Sequence, residues 1–125
     1  MRFEHREQGN VLVAKVLDSR IVADVAPRFK HQLINYVNNG HRSIVLNLEA
    51  VSFIDSSGLG ALVSGLKAIG KDGDLVLSGT SGNVTSMFKL TRMDKVFRMF
   101  GTQEEAIEAL SGRNGAVVEQ ATANN

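Results

Sequence analysis

Cysteine is absent from the 125 residues. That excludes disulfides, thiol catalysis and cysteine-based metal sites, and it fits a cytoplasmic setting. An excess of one charge is lacking too: 14 Lys and Arg stand against 13 Asp and Glu, a net charge of +1. Such a balance exerts no general pull on nucleic acid or an anionic membrane. The nearest thing to a basic cluster is Lys89, Arg92, Lys95 and Arg98. Met93 and Phe97 interrupt it, so it reads as the solvated side of a helix and its exit loop. No apolar run approaches the length of a membrane span. Residues 1–8 (MRFEHREQ) carry no apolar stretch, and a signal peptide is not expected. Asn83-Val84-Thr85 is then a chance match to a glycosylation sequon. There is no internal repeat and no linker between two cores.

What is present suits one globular domain. The chain is long enough to bury its own core, and its apolar content of 43% is ordinary. Residues 11–17 (VLVAKVL) form a β-rich run, with residues 2–8 as a partner strand across the hairpin signal Gly9-Asn10. Residues 18–24 are a connection. From Val25 the period becomes helical, with Ala26, Phe29, Leu33, Tyr36 and Val37 on one face. Asp24 is placed to cap that helix, Pro27 fits only its first turn, and Asn38-Asn39-Gly40 ends it.

Further along, residues 74–78 read as a strand, 83–90 as a short helix and 96–100 as a short final strand. In the helix, Val84, Met87 and Phe88 face inward. Thr102-Gln103-Glu104-Glu105 is a capping box, opening a helix that turns Ala106, Ile107 and Leu110 inward. Residues 112–125 are small and polar without periodicity, and a disordered tail is expected there after a domain at 1–111. Strands alternating with helices argue for an α/β sheet with parallel central strands, made mixed by the N-terminal hairpin.

The most informative stretch is residues 44–62 (IVLNLEAVSFIDSSGLGAL). An apolar run at 44–48 reads as a buried strand, and Phe53-Ile54 leads into Asp55-Ser56-Ser57-Gly58. A helix follows at once, because Leu59, Leu62, Val63, Leu66 and Ile69 recur at spacings of three and four. An aspartate and two serines therefore lie where a strand hands over to a helix. Sites concentrate there in open α/β sheets, and free N–H groups there can hold an anion. A phosphate on such a serine gains hydrogen bonds and a favourable helix dipole, and it adds about −1.5 to −2 charges beside Asp55. Gly58 and Gly60 keep that surface low for another protein's backbone. By spacing alone, capping by Asp55, Ser56 or Ser57, worth about 1 kcal/mol, is the simpler reading. Asn47 interrupts an apolar strand near its end, and a buried Asn must find partners. It is expected to tie down the following loop.

Asn47-Leu48, Val51-Ser52-Phe53-Ile54 and Asp55-Ser56-Ser57-Gly58-Leu59-Gly60-Ala61-Leu62 resemble the STAS domain of bacterial anti-sigma-factor antagonists. Weaker matches are Ala26-Pro27, Gly73 before Leu75-Val76-Leu77, and Leu90-Thr91 running on to Val96-Phe97. The likeness covers roughly residues 11–110. It implies a STAS fold: a mixed, mostly parallel sheet with an antiparallel N-terminal edge and about four packed helices. It also implies a cytoplasmic partner-switching phosphoprotein without catalysis or cofactor. Its unphosphorylated form binds an anti-sigma factor that is also a serine kinase. Phosphorylation of the serine after the aspartate, here Ser56, ends that binding, and a metal-dependent serine phosphatase restores it. Asp55, Ser57, Gly58, Leu59, Gly60, Asp24 and Asn47 would form or support the partner surface. One departure stands out: the family commonly has Leu-Asp shortly before Ala-Pro, and here those positions are Ile21-Val22. Asp24 is the nearby acid that can substitute.

Other classes fare less well. Gly-x-Ser-x-Gly is absent at Ser56 and Ser57, and His5, His31 and His41 lack both a relation to them and metal-ligand spacing. Residues 65–71 imitate a P-loop, but Asp72 stands where Ser or Thr is needed and the segment ends a helix. Gly58-Leu59-Gly60 lacks the third glycine of a dinucleotide fingerprint. Two alternatives keep the fold: a partner switch for a secretion, motility or biofilm regulator, and a STAS subunit of a lipid- or anion-transport assembly.

Overall fold

In the computed structural model, residues 1–118 are described, with side chains through Ser111. The strands are β1 (Phe3–Gln8), β2 (Val11–Val16), β3 (Arg20–Ile21), β4 (Ser43–Asn47), β5 (Phe53–Ile54), β6 (Asp74–Ser78) and β7 (Met99–Phe100). The helices are α1 (Ala26–Asn38), α2 (Ser56–Ile69), α3 (Gly82–Leu90) and α4 (Gln103–Val118). Gly9 takes a left-handed φ of 62°, and the chain reverses so that β1 and β2 pair antiparallel from Phe3↔Val16 to Gln8↔Val11. The other pairings of the main sheet are parallel, in the order β1-β2-β4-β6-β7. The sheet is therefore mixed and mostly parallel, as expected.

Alternation along the strands sorts the core into two layers. Leu12, Ala14, Ile44, Leu46, Leu75 and Leu77 pack with Phe29, Leu33, Leu62, Val84 and Phe88 from α1, α2 and α3. Val11, Val13, Val45 and Val76 point the other way and pack with Ala106, Ile107 and Leu110 of α4. Covered on both faces, β4 reads in the sequence as a continuous apolar run and not as an alternation. The anticipated buried stripe of α1 is present in full: Ala26, Phe29, Leu33, Tyr36 and Val37.

Four expectations change. The connection at 18–24 contains β3, which pairs in parallel with β5 as a small separate sheet, Arg20↔Phe53 and Ile21↔Ile54. Asp24 does not cap α1. Val25 holds the N-cap position without a side-chain bond, because the Val22 carbonyl takes the Val25 and Ala26 N–H groups in a turn. The strand expected at 96–100 is reduced to Met99–Phe100. Upstream of it, Arg92 adopts a left-handed φ of 62° and Met93–Lys95 form a 3₁₀ turn. The Val96 and Phe97 N–H groups then bond back to Met93 and not across to β6. Finally, α4 continues through Val118, seven residues into the expected tail; residues 119–125 lie outside the described residues. Once nucleated by its cap, a helix gains one hydrogen bond per residue fixed, and Gly112 tolerates this at a cost of about 1 kcal/mol.

Candidate functional site

Asp55 sits at the junction of β5 and α2, in extended conformation, and both of its carboxylate oxygens are used. The Gly58 N–H donates to Oδ1 at 3.0 Å, which caps α2. The Ala23 N–H donates to Oδ2 at 3.2 Å, which ties down the loop between β3 and α1. The Asp55 N–H itself donates to the Ile21 carbonyl at 3.2 Å. One aspartate therefore joins three segments: the strand it ends, the helix it opens and the 22–25 loop. Asp24, next to Ala23 in that loop, is exposed and without an ion-pair partner among the described residues.

Ser56 and Ser57 follow as the first two residues of α2, and both are exposed. Neither hydroxyl has a hydrogen-bond partner among the described residues, and neither do their N–H groups. At a helix start such N–H groups are orphan donors carrying the positive end of the dipole. An oxyanion attached to either serine finds donors at once. No histidine base is set against them: His5 and His41 pack edge-on against Tyr36, and His31 lies on the exposed side of α1.

The two glycines differ. Gly60 is exposed, with nothing within 4 Å of where a Cβ would lie, so it keeps the surface low as anticipated. Gly58 is buried and serves the interior. A Cβ there would stand 2.6 Å from the Ile21 carbonyl oxygen and 2.7 Å from Ile54 Cγ1. The first turn of α2 can lie against β3 and β5 only because that atom is missing. Leu59 points inward and is buried in the main core.

Asn47 belongs to another place. It shares the α4 face with Val45 and is buried at the end of β4. Its Oδ1 accepts the Glu49 N–H at 2.8 Å, and its Nδ2 donates to Glu49 Oε1 at 3.0 Å and to Gln103 Oε1 at 2.8 Å. It does tie the following loop, and it also anchors the start of α4. The Asn47 amide, and next the Lys15 ammonium 3.4 Å from Glu49 Oε2, hold the Glu49 carboxyl below the usual glutamate range. The sequence pointed to Asn47 but not to Gln103; the only signal was its place inside the capping box. Arg20, whose guanidinium lies 4.8 Å from the centre of the Phe53 ring, was also passed over and flanks the site from the small sheet.

Among the described residues no group of acidic residues and histidines has the arrangement of a metal site, and no helix is long and apolar enough to cross a membrane. A family model described as STAS domain matches residues 2–106. The chain belongs to the STAS domain family. An anti-sigma-B factor antagonist of Staphylococcus aureus is 35% identical over 81 residues, spanning 63% of this chain and 75% of that protein. The crystal structure of an anti-sigma factor antagonist from Mycobacterium paratuberculosis matches with a TM-score of 0.81 at 24% identity, over 88% of this chain and 93% of that one. The phosphorylated form of the Bacillus cell fate determinant SpoIIAA matches with a TM-score of 0.65 at 20% identity, over 86% and 98% of the two chains. At those identities the two structures speak to the fold alone. They agree with the STAS architecture expected from the sequence.

Proposed function

We propose that this STAS protein is an anti-sigma-factor antagonist whose binding is switched by phosphorylation of Ser56. One observation carries the reading: an exposed serine whose hydroxyl has no partner among the described residues opens α2, beside orphan N–H donors and directly after a carboxylate that is already engaged. A phosphoryl group there is held by the helix start without unfolding it. It also adds about −1.5 to −2 charges next to Asp55 and the loop that carries Asp24, so a partner seated on this surface meets concentrated negative charge. The Staphylococcus relative supports the choice of an anti-sigma factor as partner.

In this scheme the anti-sigma factor is also the serine kinase, it binds the unphosphorylated form, and a metal-dependent phosphatase resets the switch. The chain itself contributes docking and not catalysis. Val22 leaves no acid at the position the family usually fills, and Asp24 supplies it from the same loop. The decisive test compares Ser56→Ala with Ser56→Asp. The Ala form should capture a serine-kinase-type regulator from the native lysate and resist labelling by it, and the Asp form should release it. Undiminished labelling of Ser56→Ala would remove Ser56 as the acceptor, and retention of the same proteins by both forms would make the surface a constitutive one.

A further inference from the structure

Three of the basic residues noted in the sequence, Lys89, Lys95 and Arg98, line a groove that the switch surface does not use. It lies between α3 and the segment 94–101, alongside β7, and has a volume of about 510 Å³. Thr85 and Lys89 form one wall, and Asp94, Lys95, Val96, Arg98 and Met99 the other, so three basic side chains stand against one acid. Val96 on its wall is a large apolar side chain left 47% exposed. Lys89, Arg92 and Lys95 are exposed and make no ion pair among the described residues. Arg98 is partly engaged, 3.8 Å from Asp74 and 5.4 Å from the centre of the Phe100 ring.

The backbone adds a second feature. Among the described residues β7 is the last strand of the sheet, paired with β6 on one side only. The Leu77 and Gly79 N–H groups donate to the Arg98 and Phe100 carbonyls, so Met99 between them turns its own N–H and C=O to the outer edge. Edge strands of this kind accept an added strand unless charge or shape forbids it.

We propose that this groove is a second docking surface, which takes an extended acidic segment of a protein partner as an added strand beside β7. Backbone pairing to Met99 sets its direction, an apolar side chain settles on Val96, and its carboxylates meet Lys89 and Lys95. The concave shape suits a single extended chain better than the flat surface of a bilayer, and a net charge of +1 supplies no long-range attraction to anionic lipid.

The probe is a fluorescein-labelled peptide of alternating Glu and Val, with a Lys-Val peptide as control, followed by fluorescence anisotropy and by backbone NMR shifts of the full chain. Binding of the acidic peptide alone, weakened by salt, with shifts at Thr85, Lys89 and 96–100, is expected. Lys89→Glu/Lys95→Glu, both at exposed positions, should lower the affinity about tenfold. Val96→Asp should lower it as well, while Ser56→Asp should leave it unchanged. Absence of binding, indifference to the charge reversal, or shifts centred on the start of α2 would overturn the proposal. So would phosphatidylserine vesicles binding more tightly than the peptide and losing that binding with the same reversal, since the surface would then be one for membranes.

Discussion

Two strand ends in this molecule carry polar residues bonded to the start of a helix, and they are finished differently. At the end of β4, Asn47 spends both ends of its amide on Glu49 and Gln103. The helix beside it is closed by a reciprocal cap, with Thr102 and Glu105 each satisfying the other's N–H at 3.1 Å. At the end of β5, Asp55 also spends both oxygens internally, but the two serines after it find no partner for their hydroxyls and N–H groups among the described residues. A polar group with all its partners inside the chain supports structure. A polar group with its partners missing, at the surface and on a rigid frame, is available to something else. The same helix-start chemistry therefore serves as a seal in one place and as a socket in the other.

Breaking the seal should cost the most stability. Asn47→Ala leaves the Glu49 N–H and the Gln103 side chain without their partner, and a loss of about 3 kcal/mol in urea unfolding is expected. Partner affinity, measured on the folded fraction, should stay close to that of the parent. Gly58→Ala strikes the support of the socket. The new Cβ meets the Ile21 carbonyl at 2.6 Å, so a loss of about 2 kcal/mol is expected together with weaker partner binding. A Gly58→Ala protein of unchanged stability would mean that α2 can move off β3 and β5 freely.

Asp24→Ala touches only the 22–25 loop. Its stability should stay within about 0.5 kcal/mol of the parent, because the side chain is exposed and does not cap α1. Partner affinity should fall, and an unchanged titration would rule Asp24 out as the substitute acid. The smallest effect sharpens the seal. Glu49 titrates below the usual range, so its contribution is present above the ordinary glutamate pKa and fades as pH falls through its own lower value. In Asn47→Ala the Glu49 carboxyl, followed by NMR, should titrate closer to the ordinary range, since the larger of its two supports is gone.

Much of the frame could be read along the chain. The α1 stripe, the β6 run at Asp74–Ser78 and the Thr102–Glu105 capping box come from spacings of two to four residues, and those spacings report local geometry directly. The β3–β5 pair could not be read, because a two-residue strand has no period and exists only through its partner. The shortened β7 was hidden for a related reason: the turn at Arg92 and Met93 takes up hydrogen bonds that the β-prone letters of 96–100 suggested would go to the sheet. At the site, Asp55-Ser56-Ser57-Gly58 was visible as a strand-to-helix junction and as a family likeness. The hold of Asp55 on Ala23 and the inward duty of Gly58 were not.

The division follows the range of the forces. Helix faces, caps and the hairpin turn are set by neighbours within a few residues, so the order of letters decides them. The pairing of Ile21 with Ile54, the Asp55–Ala23 bond and the separation of Asn47 from the serine surface needed residues far apart in the chain to be packed together. Only the assembled sheet and its covering helices, which bury apolar area without regard to sequence distance, could decide those.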